Sequence, residues 1–191
     1  MELHKIGVKL FAQSLPDDLL GFIPVFHRWI QEQLDDDLLI DVADYTHVHR
    51  GPGVMVIAHQ GNYALDEAEG RRGLVYYAKR ELPGDQSQRL GLVLGRVLGA
   101  ARRLEQDPEL GSRVRFRGDQ LQIFANDRLA APNDPATFQA LEPVLNDLLG
   151  RLYGGDFQLE QLMDDPRERL TVNITAAQAA DLDTLLGRLK D

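Results

Sequence analysis

Apolar positions along this chain change their spacing repeatedly, and the changes outline alternating strands and helices. Residues 4–11 read as an opening strand. Over 22–34 the spacing turns helical, with Val25, Phe26, Trp29, Ile30 and Leu34 on one face and Arg28, Gln31 and Glu32 on the other. Pro24 suits the first turn, where no backbone donor is lost. The run Asp35-Asp36-Asp37 then reads as a solvated loop, because negative charge is unfavourable at a helix C-terminus.

Three runs with strand character follow, at 38–42, 54–58 and 74–78. The second is apolar throughout, as expected of a central strand covered on both faces. Gly51-Pro52-Gly53 is a turn between the first two, and 62–67 is expected to pair with 73–79. Asp85 with Gln88 forms a capping box that starts a helix running to about Gln106. Its apolar face is Leu90, Leu94, Val97, Leu98, Ala101 and Leu104.

Beyond Pro108, Val114 and Phe116 alternate with Arg113, Arg115 and Arg117. The pattern predicts a hairpin that turns at Gly118-Asp119 into Leu121 and Ile123. Asn133-Asp134-Pro135 starts another helix, buried through Phe138, Leu141, Leu145, Leu148, Leu149 and Leu152 and stopped by Gly154-Gly155. Strands at 156–162 and 170–174 follow. Thr175 with Gln178 is expected to cap a last helix bearing Leu182, Leu185, Leu186 and Leu189. This strand-strand-helix rhythm predicts an α+β fold: a largely antiparallel sheet with helices mainly on one face. A single domain over 1–191 is expected, with 107–112 as the place where a subdivision would fall.

Composition narrows the function classes. At 191 residues the chain is long enough to bury a sizeable core, and its 43% hydrophobic and 27% charged content is ordinary for a folded domain. The absence of cysteine removes disulfides, thiol nucleophiles, Cys-type zinc sites and iron–sulfur ligation, and fits a reducing compartment. The N-terminus has charge inside its short apolar stretch and does not read as a signal peptide; no window is apolar enough to span a bilayer. A cytoplasmic, non-membrane protein is expected. A formal net charge of −9 disfavours nucleic acid as a partner.

Three constellations carry potential chemistry. Three of the five histidines fall between Asp41 and Glu67, and histidine suits metal ligation and proton transfer near neutral pH. His47, His49 and His59 would supply nitrogens to a divalent metal, and Asp44 or Asp66 an oxygen, in a metal-assisted hydrolase. In that hydrolase Asp66 is also a candidate general base; without a metal, an Asp44–His59 pair would bind a ligand or move a proton. Pairing of 38–49 with 53–60 is expected to set Asp44 roughly across from His59. The use of all these groups requires residues 45–50 to leave strand geometry.

The second constellation is Arg113, Arg115 and Arg117 on one strand face, suited to carboxylate or phosphate oxygens. The third is Gly91-x3-Gly95-x3-Gly99 on the long helix, where each glycine costs about 0.8–1.0 kcal/mol against alanine. Close approach of another backbone is the expected reason, from the protein's own sheet or helices or from a second copy in a homodimer. There is no phosphate loop, dinucleotide fingerprint, His-Glu-x-x-His or nucleophile elbow. Two readings follow: a non-catalytic small-ligand-binding or subunit-interaction module, or the metal-assisted hydrolase of residues 41–66.

Overall fold

A computed structural model of the chain describes residues 3–34, 36–49, 51–165 and 167–190, residue 69 by its backbone only. It has an α+β architecture with one eight-stranded antiparallel sheet and four helices alongside. The strands are β1 (Ile6–Ser14), β2 (Leu39–Tyr45), β3 (Gly53–Ala58), β4 (Gly61–Asp66), β5 (Gly73–Ala78), β6 (Arg115–Ala125), β7 (Phe157–Gln161) and β8 (Thr171–Ala176). The helices are α1 (Phe22–Glu32), α2 (Gln86–Gln106), α3 (Pro135–Tyr153) and α4 (Leu182–Arg188). Strand order is β2-β3-β4-β5-β1-β6-β8-β7. β1 therefore pairs with both β5 and β6, and the sheet runs unbroken across strands from both sides of 107–112.

Alternation along each strand sorts the two faces. One cross-strand row reads Val42, Val56, Tyr63, Tyr76, Val8, Ile123 and Val172. Apart from Val42, which is half-buried at the edge, these are fully buried in the main core beneath the helices. The neighbouring row, on the opposite face, reads Met55, Ala64, Val75, Lys9, Gln122, Asn173 and Glu160. Its apolar half forms a small separate cluster with Phe124, Ile57 and Tyr77, to which no helix contributes. Its polar half is tied by side-chain bonds. Lys9, only 3% exposed, pairs with Asp66 at 2.5 Å, and Gln122 donates to Asn173 at 3.0 Å.

Capping explains the helix boundaries. Asp85 accepts from the Gln88 amide at 2.9 Å while Gln88 accepts from the Asp85 amide at 2.8 Å, so the predicted capping box is complete. Asp134 caps α3 through the Thr137 amide, and Gly154 ends it in the left-handed conformation at φ 79°.

Four local expectations are corrected. The Gly118-Asp119 turn does not form: β6 is one long strand whose pairing with β1 shifts register between Leu121 and Phe116. A Cβ on Gly118 would lie 1.7 Å from the Ala180 carbonyl oxygen, so the glycine serves close passage of another segment, not a reversal of the chain. Thr175 lies inside β8, and α4 is capped by Asp181 through the Thr184 amide. Strand β3 is second from the sheet edge instead of central. Finally, Asp37 is buried and accepts from the amides of Gln60 and Gly61, closing the β3–β4 turn; of its neighbours, Asp35 lies outside the described residues.

Candidate functional site: a glycine-floored groove on α2

The histidine cluster does not assemble. In the β2–β3 hairpin, Asp44 pairs with Val54 and Leu39 with Ala58. His47 and His49 therefore lie in the turn at one end of the hairpin, while His59 sits in the turn at the other, its amide bonded to the Leu38 carbonyl. Six residues of β3 separate these ends, about 17 Å at strand rise. All three histidines are exposed. The expected Asp44–His59 pairing fails because the register is centred near His49 instead of on Gly51-Pro52, which sets Asp44 opposite Val54 and brings the His59 amide to the Leu38 carbonyl. Among the described residues, no group of three or more His, Cys, Asp or Glu side chains is placed to hold a metal.

The carboxylates of that stretch have local work. Asp44 accepts from the Thr46 hydroxyl at 2.7 Å and the Thr46 amide at 2.8 Å, and these bonds hold its carboxyl below the usual range. Asp41 accepts from the Val42 amide. Both lie on the edge strand β2, whose pairing also contains a bulge between Leu39 and Asp41. Charges and bulges of this kind discourage a further strand from joining. Asp66 is engaged by Lys9 on the helix-free face and pairs with Gly73; the β3–β4 register sets it at the His47–His49 end of the hairpin, away from His59.

The arginine triplet is likewise spent nearby. Arg113 donates to the carbonyls of Leu110 and Glu109, and Arg115 to those of Val114 and Glu105. Arg117 grips Asp119 with two bonds of 2.8 and 3.0 Å, which lower the Asp119 carboxyl and raise the guanidinium. Each guanidinium thus has nearby partners of its own, and Arg113 lies ahead of β6 instead of on it.

The glycine ridge behaves differently from either internal-packing expectation. A Cβ built on Gly91, Gly95 or Gly99 would meet no atom within 4 Å. The ridge therefore touches neither the sheet nor a neighbouring helix. The glycines instead lie in the lining of a groove of about 660 Å³, together with Leu148 and Arg151 of α3 and Leu186 of α4. Leu189, Lys190, Asp36, Asp85 and Ser87 also line it. Leu92, Arg96 and Arg103 stand beside the glycines on α2 itself.

Local sequence sets this geometry. The buried side of α2, Leu90, Val93, Leu94, Val97, Leu98, Ala101 and Leu104, packs beneath the sheet and turns positions 91, 95 and 99 away from it. Arg96 reaches back to the Gln60 side chain at 3.0 Å, and Arg151 makes bonds of 3.4 Å to Ser87 and Asp147. The ridge was visible in the sequence as a four-residue repeat. Its walls were not, because Leu148, Leu186 and Leu189 were read as core positions of α3 and α4. Leu148 is indeed buried, whereas Leu186 and Leu189 are half-exposed along the groove.

The groove offers an apolar trough with basic groups beside it, and no nucleophile–base pair stands along it. Its lining holds Arg96, Arg103, Arg151 and Lys190 against Asp36 and Asp85, a local positive excess on a chain of net charge −9. No helix among the described residues is long and apolar enough to cross a membrane. No protein-family model, curated protein or solved structure matches the chain.

Proposed function

We propose that this chain is a single-domain, cytoplasmic, non-catalytic binding module that takes a small ligand in the groove along α2. One observation carries the reading: three helical glycines face open space. Each sacrifices about 0.8–1.0 kcal/mol of helix stability against alanine, and no internal contact needs the missing methyl group. A surface kept clear at the expense of stability is the pattern expected of a binding site. The volume, about 660 Å³, falls within the range of small-molecule sites.

A homodimer seated on the same ridge is the second reading, favoured because a helix without Cβ atoms lets another backbone come close. One pair of measurements separates the two. NMR screening of small-molecule mixtures against wild type is expected to shift amides within 87–103, and Gly95→Leu, which fills the floor, is expected to abolish the shifts. Light scattering on the same samples reads the mass. A dimeric mass that falls to monomer in Gly95→Leu selects the homodimer. A monomer with no ligand-induced shifts in this segment ends both readings.

A further inference from the structure

We infer that a second copy of this chain docks on one edge of the sheet, with β7 pairing antiparallel to its own counterpart about a two-fold axis at Leu159. The inference goes beyond the groove, since no residue of β7 lines it. The sheet ends in two edge strands, β2 and β7, and they are finished differently. On β2 a bulge interrupts the ladder, and the Asp41 and Asp44 carboxylates take up the Val42 and Thr46 amides. Strand β7 keeps an unbroken register with β8 and contains neither proline nor lysine. Bulges, prolines and lysines are devices that keep an edge from pairing, and β7 lacks them.

Backbone groups alternate in direction along β7. The Ala177 amide donates to the Asp156 carbonyl and the Leu162 amide to the Thr171 carbonyl, so even-numbered positions face β8. The amides and carbonyls of Phe157, Leu159 and Gln161 therefore point outward, and among the described residues nothing bonds to them. Their side chains lie on the helix side, where Leu159 pairs with the core residue Ile174. Gln158 and Glu160 stand exposed on the other face.

Charge then selects the register. Outward positions must meet outward positions, which leaves few alignments. With residue 160 on the axis, Glu160 faces the second copy's Glu160; with residue 158 on the axis, Glu160 faces the second copy's Asp156. Like charges directly opposite each other are destabilising. With Leu159 on the axis, each Glu160 meets Gln158, an acceptor against an amide donor. That alignment also lets Phe157, Leu159 and Gln161 all exchange backbone bonds with the second strand, whereas either neighbouring alignment drops an end position. The axis stands perpendicular to the sheet, so both copies keep their helices on one side and the contact is self-complementary.

Sedimentation equilibrium of the full chain between about 1 μM and 1 mM tests this. A reversible monomer–dimer equilibrium is expected, and Gly95→Leu is expected to leave it unchanged. Gln158→Glu opposes carboxylates on both sides of the axis and is expected to weaken the dimer about two- to thirtyfold. Gln158→Lys opposes unlike charges there and is expected to tighten it by a similar factor. Position 158 is exposed, so both variants are expected to keep the wild-type melting temperature of the monomer. Hydrogen exchange followed by NMR is expected to show the 157, 159 and 161 amides protected at high concentration and exposed on dilution. A chain that stays monomeric throughout overturns the inference. So does a dimer that Gly95→Leu dissolves, or one that responds alike to both substitutions at position 158.

Discussion

The two sides of α2 differ sharply. Toward the sheet, Val93, Leu94, Val97 and Leu98 are fully buried in the main core. One residue away on the other side, Gly91, Gly95 and Gly99 meet nothing. The same helix is thus packed on one side and left bare along its glycine ridge on the other. Glycine in a helix is commonly read as a sign of close packing, yet here the packed side is the one built from large residues. The lesson is that the glycines shape a vacancy instead of a contact.

Adjacent residues make the contrast measurable. Leu94→Ala is expected to lower the unfolding free energy by about 2–5 kcal/mol, since it leaves a cavity in a fully buried site. Gly95→Ala is expected to raise it by up to about 1 kcal/mol, the helix-propensity gain of a methyl group with room around it. Urea denaturation at neutral pH reads both. A loss of stability in Gly95→Ala would mean that the ridge is packed after all.

A second glycine sharpens the point. At Gly118 the added methyl group would run into the Ala180 backbone at 1.7 Å, so Gly118→Ala is expected to destabilise by about 1–3 kcal/mol. Glycines of opposite sign in one chain separate close approach from deliberate clearance. Equal and small effects at positions 95 and 118 would remove the distinction on which the groove reading rests.

The smallest expected effect concerns the helices that wall the groove. The Asp134 and Asp181 carboxyls are held below the usual carboxylate range, foremost by the Thr137 and Thr184 amides that they cap. A lowered folded-state value contributes stability that is complete above the unfolded value of about 3.9 and is lost as pH falls through the folded value. Urea midpoints of wild type are therefore expected to drop between pH 4 and pH 3. The double variant Asp134→Asn/Asp181→Asn keeps cap acceptors without titration, and its midpoint is expected to drop less over the same interval. Identical acid limbs would show that the caps do not contribute.

Much of the fold was legible because period and punctuation agree. The capping box at Asp85, the Asp134-Pro135 start and the Gly154 stop each act through neighbours within a few residues, and each appears where the chain placed it. Two of the misreadings involve partners distant in sequence. Gly118-Asp119 has the composition of a turn, but β1 pairs with β6 on both sides of it and Ala180 crosses at the glycine. Asp37 looked like one more solvated acid until the β3–β4 turn, more than twenty residues on, supplied amides for it to accept. The histidines were close in sequence and were kept apart by the straightness of a single hairpin.

By itself, the order of residues determined which segments are helical or extended, which faces are apolar, and that a four-residue glycine repeat runs along α2. Those features depend on backbone propensity and on side-chain periods that a short segment carries alone. Tertiary structure decided that the repeat opens onto a trough walled by α3 and α4, and that no imidazole nitrogens gather. Those outcomes turn on how strands register and how helices dock, and both are fixed by burial summed over elements far apart in the chain.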